Sequence, residues 1–336
     1  MKPSSEYSVQ DSSPPALYVP GRRIPVPTSV SPEAQTILAM GQLEPPVEWP
    51  ALDDPAAWRE LLAARDATAL MMIEQMFPAY DTAVEDIDVD GVRVYAITPA
   101  GVDPDDRRIV LDIHGGGFVG GGGPLCRMMA VGQVTPMAVR AWSVDYRLPP
   151  DHPYPAPLDD CLTAYRALLG SHRPEDIIVN GPSAGGNLAA AMILRARDEG
   201  LPLPAAVVLT SPVADLTGAG DSWQTNMGIE PSLTSSFTAP FGLYAGGHDL
   251  RDPYVSPLFA DFTRGFPPTF LSTGTRDVLL SDTVRLHRAL HRAGVPVELH
   301  VFEAAGHGMF LGTAPEDREY TVLVREFLGR HWALYA

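Results

Sequence analysis

The sequence predicts an α/β fold, a mostly parallel sheet with helices on both faces, preceded by a smaller helical segment. Three observations carry that expectation. From about residue 85 onward, short apolar runs alternate with helical stretches, a pattern that calls for crossover connections between parallel strands. The 336 residues are 45% hydrophobic and 19% charged, enough apolar material for one large buried core. No apolar run approaches the roughly 20 residues that a membrane-spanning helix requires.

In chain order, residues 1 to about 50 are rich in proline and serine. Only the interval between Pro32 and Pro45 can hold a helix there, with Ala34, Ile37, Leu38 and Met40 as its apolar face. A longer helix follows. Asp54 can cap it, Pro55 suits its first turn, and neither Pro nor Gly interrupts the run to Phe77. Residues 85–98 read as two strands around the turn signal Asp90-Gly91. Further strands are expected at 108–113, 139–144, 177–180, 206–210, 269–272 and 297–302, with helices at 158–169, 184–199, 281–293 and 315–332. Residues 213–268 are rich in Gly, Pro, Ser and Thr and read as an irregular insertion between two strands.

Charge narrows the partners. The formal net charge is −17, which repels polyphosphate and anionic headgroups alike, so neither nucleic acid nor membrane is an expected partner. Cys126 and Cys161, the two cysteines, have no metal-like spacing, so no metal is expected. Residues 1–20 lack the basic and apolar regions of a signal peptide, and the expected location is cytoplasmic.

Chemistry enters at Gly181-Pro182-Ser183-Ala184-Gly185. A G-x-S-x-G segment between an apolar strand and a Leu/Ala-rich helix holds a serine on a sharp turn, and glycines two residues either side remove the clashes such a turn creates. The same turn aims the Ala184 N–H and the helix N-terminus at charge developing on a substrate oxygen. Earlier in the chain, His114-Gly115-Gly116-Gly117 follows another strand. Consecutive glycines let backbone N–H groups approach a substrate closely, so Gly116, with Gly115 or Gly117, joins Ala184 as a candidate oxyanion donor. His114 reads as a residue that ties down this loop. Gly115, Gly117 and Gly120, with Asp145 ending the next strand, also spell a dinucleotide fingerprint. Against that reading, Gly121-Gly122-Gly123-Pro124 is a poor start for a packed helix, and the serine turn stays unexplained.

A serine on such a turn needs a base and an orienting acid, in the chain order Ser, Asp or Glu, His. His307, between Gly306 and Gly308 after the strand at 297–302, is the candidate base. His287 and His291 lie on one helix among arginines and read as solvent-facing; His300 lies within a strand. Asp277, just past the strand at 269–272, is the candidate acid, with Asp282 as rival; Asp282 fits better in the first turn of the next helix, where negative charge is favourable.

Together these segments resemble the bacterial hormone-sensitive lipase family of carboxylesterases, from roughly residue 85 to the C-terminus. The marks are the His114–Phe118 run, the run Asp145-Tyr146-Arg147-Leu148-Pro149-Pro150-Asp151-His152-Pro153-Tyr154-Pro155, Gly181 to Asn187, and the Asp277 and His307 segments. The resemblance implies an α/β-hydrolase fold and cleavage of short- to medium-chain carboxylic esters by Ser183, His307 and Asp277 without cofactor or metal. It implies that the Tyr-Arg-Leu segment braces the oxyanion loop. It also implies an N-terminal cap over 1–84, a catalytic domain over 85–336, and a contribution of 213–268 to the cap. Met72, Met76 and Phe77 on the cap helix, with Phe118, are then candidate pocket residues, on a Met-rich stripe that could equally be core packing. Two positions depart from the family pattern: Pro182 stands where Asp or Thr is usual, and Val278 replaces the usual Pro after the acid. Lactones or amides compete with simple esters as substrates, a homodimer is left open, and a non-catalytic binding protein of the same fold is the rival class, opposed by the intact Ser, Asp and His.

Overall fold

The computed structural model describes Leu17, Gly21 and residues 23–43, 45–76 and 80–332. Short runs rich in apolar residues build the strands β1 (Thr82–Val89), β2 (Val92–Pro99), β3 (Ile109–Ile113), β4 (Arg140–Asp145), β5 (Ile177–Pro182), β6 (Ala206–Thr210), β7 (Thr269–Gly274) and β8 (Val297–Phe302). The helices are α1 (Pro32–Met40), α2 (Pro55–Met76), α3 (Pro124–Val134), α4 (Ala156–Leu169), α5 (Ala184–Asp198), α6 (Ser222–Thr225), α7 (Thr238–Ala245), α8 (Leu280–Arg292) and α9 (Pro315–His331).

The strands form one sheet in the order β1-β2-β4-β3-β5-β6-β7-β8. The β1/β2 and β2/β4 pairs are antiparallel, and every pair from β4/β3 to β7/β8 is parallel. Successive side chains of a strand face opposite ways, and the sheet divides its core accordingly. Ile109, Leu111, Ile177, Val179, Val207, Leu209 and Leu271 pack on one side with Leu158 and Leu162 of α4, Leu188 of α5 and Leu286 of α8. Val110, Ile178, Ala206, Val208 and Phe270 pack on the other, with Cys126 and Val134 of α3 and Val324, Phe327 and Leu328 of α9. The parallel, doubly covered sheet is the predicted one.

Particular elements depart from expectation. The β1/β2 hairpin turns at Asp90-Gly91 as expected, both with positive φ, but β1 starts earlier, at Thr82. On α1, Ala34, Ile37 and Leu38 are buried, whereas Met40 is exposed at the helix end. The Gly121–Pro124 run does start a packed helix: α3 begins at Pro124, where the missing N–H is one that a first turn leaves unpaired anyway. Within the insertion, α6 and α7 form where irregular chain was expected.

The N-terminal segment docks on that insertion. The N–H groups of Leu43 and Val47 donate to Pro231 O and Ser235 Oγ, and the Trp49 indole donates to Ser236 O. Asp54 caps α2 by accepting from Ala57 N at 3.0 Å. Trp58, fully buried, stacks on Trp49 at 5.5 Å and packs with Leu62 and Val119, the last next to the glycine loop. Among the described residues no helix is long and apolar enough to cross a membrane. Trp58→Ala is expected to cost about 3 kcal/mol, seen as a lowered Tm and faster proteolysis within residues 45–76. Unchanged Tm and protection would contradict this docking.

Candidate active site

Ser183 sits between the end of β5 and the first residue of α5, with φ +56° and ψ −122°. A non-glycine residue there is strained by about 1–3 kcal/mol, and its surroundings leave it no alternative. A Cβ at Gly181 would lie 2.4 Å from Gly185 O, and one at Gly185 would lie 1.9 Å from Ile113 O. The turn thus closes on itself and presses against the end of β3. Ser183 N donates to Thr210 O at 2.8 Å, which ties the turn to β6. Ser183 remains partly accessible.

The glycine loop starts where that contact is made. Gly115 faces the turn, its missing Cβ position 3.4 Å from Ser183 Cβ, and Gly116 and Gly117 continue with φ +122° and +63°. Ala184 opens α5 beside it. His114 lies behind the loop, buried and stacked on Tyr146 at 4.0 Å; its Nδ1 is 2.6 Å from Gly115 O, and the Tyr146 hydroxyl donates to His114 O. Burial holds its pKa near about 4, so the ring is neutral and anchors the loop. Arg147 is locked to Asp160 by a bidentate ion pair.

Asp277 follows β7 and His307 follows β8, so the next strands of the sheet bring both to the same edge as Ser183. His307 Nδ1 lies 3.5 Å from Asp277 Oδ1, in ion-pair reach. The fully buried Asp277 also accepts from the Ser211 hydroxyl, from Thr273 Oγ1 at 3.0 Å and from Leu279 N at 2.8 Å. Burial opposes its charge, but His307 and these donors outweigh burial and hold the carboxyl below its ordinary range. For His307, burial favours the neutral ring, yet the charges of Asp277 and Glu230 prevail and raise it.

Residues 110–311 match the family model for the alpha/beta hydrolase fold. An acetyl-hydrolase of Streptomyces hygroscopicus is 37% identical over 80% of this chain and 94% of its own length. Carboxylesterase NlhH of Mycobacterium tuberculosis is 34% identical over 84% of this chain and 90% of its own. The crystal structure of an esterase from the bacterial hormone-sensitive lipase family superposes with TM-score 0.79 at 31% identity, covering 91% of this chain and all of that one. The chain belongs to the α/β-hydrolase family, among its hormone-sensitive-lipase-type esterases.

In this α/β-hydrolase, Asp282 lies in the first turn of α8, where the sequence placed it, but it faces inward. It is buried and accepts from Ala214 N and Asp215 N. Burial pushes it up to about 7. Phe118 is fully buried, stacked on Tyr244 at 4.2 Å and edge-on to Phe241. It supports the loop from below and does not line the cavity; its positive φ turns the ring into the core. Met72 does line a cavity of about 470 Å³ that runs from Pro182 to Gly308 and Met309. Phe77 lies outside the described residues, as does the Met76 side chain. The dinucleotide reading fails at Asp145, whose carboxylate accepts from the chain's own Gly123 N at 2.8 Å.

Two acids join the site that nothing in the local sequence marks. Glu230, fully buried in the insertion, accepts from His307 N at 2.9 Å and from Ser232 N. A Cβ at Gly306 would lie 2.8 Å from its Oε1, so glycine there lets the carboxylate approach. Burial and the Asp277 charge push Glu230 up to about 7. Asp66 of α2 accepts from Gly121 N at 3.2 Å, binding the N-terminal helix to the glycine loop.

Because His307 is raised, a reaction needing its neutral form loses rate as pH falls through a value above that of an ordinary imidazole. Glu230→Gln removes one cause of the rise, so the acidic limb of kcat/KM should move to lower pH; a limb that stays put or moves up would contradict the assignment. Asp277→Asn should lower kcat about 10⁴-fold by losing the imidazole's orientation, while Asp282→Asn should stay near wild type. Asp282 also links to stability. Its folded pKa lies above that of an unfolded aspartate, so its contribution is lost as pH rises through about 7. The Asn variant should lack that decline in Tm; greater catalytic damage from Asp282→Asn would exchange the two roles.

Proposed function

We propose that the protein hydrolyses carboxylic esters of short to medium acyl chain through an acyl-enzyme on Ser183. The observation that carries this is the strained serine turn packed against the glycine loop, with the His307–Asp277 ion pair at the ends of the next strands. Ser183 attacks the carbonyl, His307 takes its proton and returns it to the leaving alcohol, and Asp277 holds the imidazole. The N–H groups of Ala184 and of Gly116, with Gly115 or Gly117, meet the oxyanion. Water, activated by His307, then releases the acid.

Substrate size follows from the flanking space. The 470 Å³ cavity borders Pro182, before the nucleophile, and Gly308, after the base, and Met72, Ile73, Met129 and Met309 give it adaptable apolar walls. In this reading Pro182, which stands where the family pattern has Asp or Thr, supplies apolar wall. A second cavity of about 600 Å³ lies beneath Trp223, Phe237 and Phe241, and Phe237 closes on Gly117. The N-terminal segment, through Leu43, Val47 and Met72, acts with residues 213–268 as a cap over this space, and two buried free thiols suit a reducing cytoplasm.

Ser183→Ala is expected to abolish p-nitrophenyl ester turnover, by about 10⁴ to 10⁶, with an unchanged fold. Among such esters kcat/KM should peak between about two and eight acyl carbons, each methylene contributing ~0.8 kcal/mol until the cavity fills. Normal turnover in the folded variant would refute the nucleophile. An optimum at long chains with interfacial activation would refute the size reading alone.

A further inference from the structure

A ring nitrogen of His114, the Cys126 sulfur and a carboxylate oxygen of Asp145 all lie within 4.8 Å of one another behind the glycine loop. None of the three belongs to the proposed Ser183, His307 and Asp277 set. Their sequence spacing hid the cluster, since each comes from a different element: the end of β3, the first turn of α3 and the end of β4. His114 Nδ1 hydrogen-bonds Gly115 O, which places the proton on Nδ1 and leaves Nε2 an acceptor. That Nε2 is buried with no hydrogen-bond partner among the described residues, a costly arrangement for a protein interior. The Cys126 sulfur lies 3.6 Å from Ser143 Oγ and 3.8 Å from Val144 O, the separations of weak thiol hydrogen bonds.

We propose that His114, Cys126 and Asp145 form a binding site for a thiophilic divalent cation of the Zn²⁺ class. Nitrogen, sulfur and carboxylate oxygen are the donor types that such ions take, at roughly 2.0–2.3 Å each, with water completing a tetrahedron. The cation displaces the Cys126 thiol proton to solvent and forms the metal–sulfur bond, with no change of oxidation state. Thiolate, carboxylate and neutral imidazole then offset a divalent charge to zero, so the loaded cluster can stay buried where a lone ion could not. Each outer ligand is already oriented. The imidazole is held by Gly115 O, and Asp145 is held by Gly123 N at 2.8 Å and by the Tyr95 hydroxyl at 3.4 Å. Asp145 is the partly exposed member, beside the exposed Arg93, and gives the ion its way in. Since the His114 ring anchors Gly115, an ion here stiffens the loop next to Ser183.

The test uses the full-length protein, stripped with a chelator and titrated with Co²⁺ and then Zn²⁺. One equivalent of Co²⁺ should give a thiolate-to-cobalt charge-transfer absorption that Zn²⁺ abolishes. Cys126→Ser should lack that absorption and bind Zn²⁺ at least about 10-fold more weakly, with p-nitrophenyl acetate turnover retained. Cys161→Ser should keep it. The thiolate signature separates this site from the surface pair His287 and His291, whose rings lie 6.0 Å apart on α8. No charge-transfer absorption in the wild type would overturn the proposal. So would the same absorption, or equally tight Zn²⁺ binding, in Cys126→Ser. The wild-type spectrum decides the matter even if a variant folds poorly.

Discussion

One backbone contact organises the site: the first turn of α5 lies so close to the end of β3 that Gly185 has no room for a side chain. A methyl group there would strike the Ile113 and His114 carbonyls at 1.9 and 2.6 Å. The contact fixes where the glycine loop leaves β3 and how steeply the chain turns into α5, and so holds Ser183 in its strained conformation. The strain persists because α5 is buried almost throughout, from Ala184 to Leu194, and cannot shift without opening the core on that face of the sheet. Gly181, Gly186 and the Ser183–Thr210 hydrogen bond close the remaining routes of escape. Packing of the helix thereby maintains a geometry that the serine alone would abandon.

Electrostatics forms a second layer. Three ionisable groups, the buried Asp277 and Glu230 and the largely buried His307, cluster beyond the ends of β7 and β8. Two carboxylates and one imidazole cannot all be charged there without cost, and the shifts show how the structure resolves it. Asp277, with its hydroxyl and N–H donors, is the favoured anion; Glu230, with backbone donors and the repulsion of Asp277, is pushed up to about 7. Asp66 plays a simpler part: its carboxylate accepts from Gly121 N and joins α2 to the glycine loop, so the docking that Trp58 secures is felt next to Ser183.

What the sequence made legible was local. The elbow and the glycine loop follow from steric demands within a few residues, and the parallel sheet follows from short apolar runs alternating with helical stretches; buried on both faces, β3 sends Ile109 and Leu111 to one core and Val110 to the other. The start of α3 was misjudged because Pro124 was weighed as a helix breaker rather than as a first-turn residue. Phe118 could not be assigned from its neighbours, since a positive φ, invisible in the sequence, turns it toward Tyr244. Glu230 and Asp66 reach partners 77 and 55 residues away, and the His114, Cys126 and Asp145 cluster exists only once β3, α3 and β4 are assembled. Such long-range pairings leave no local trace in composition or spacing.

The central claim, that the strained serine is the nucleophile, is tested most directly by covalent labelling. The native protein is reacted with a fluorophosphonate, residual esterase activity is followed, and the modified peptide is located by mass spectrometry. The account predicts one adduct per chain, on Ser183, forming in step with the loss of activity and slowed in the Asp277→Asn variant. An adduct on another residue, or full activity in protein fully labelled at Ser183, would contradict it.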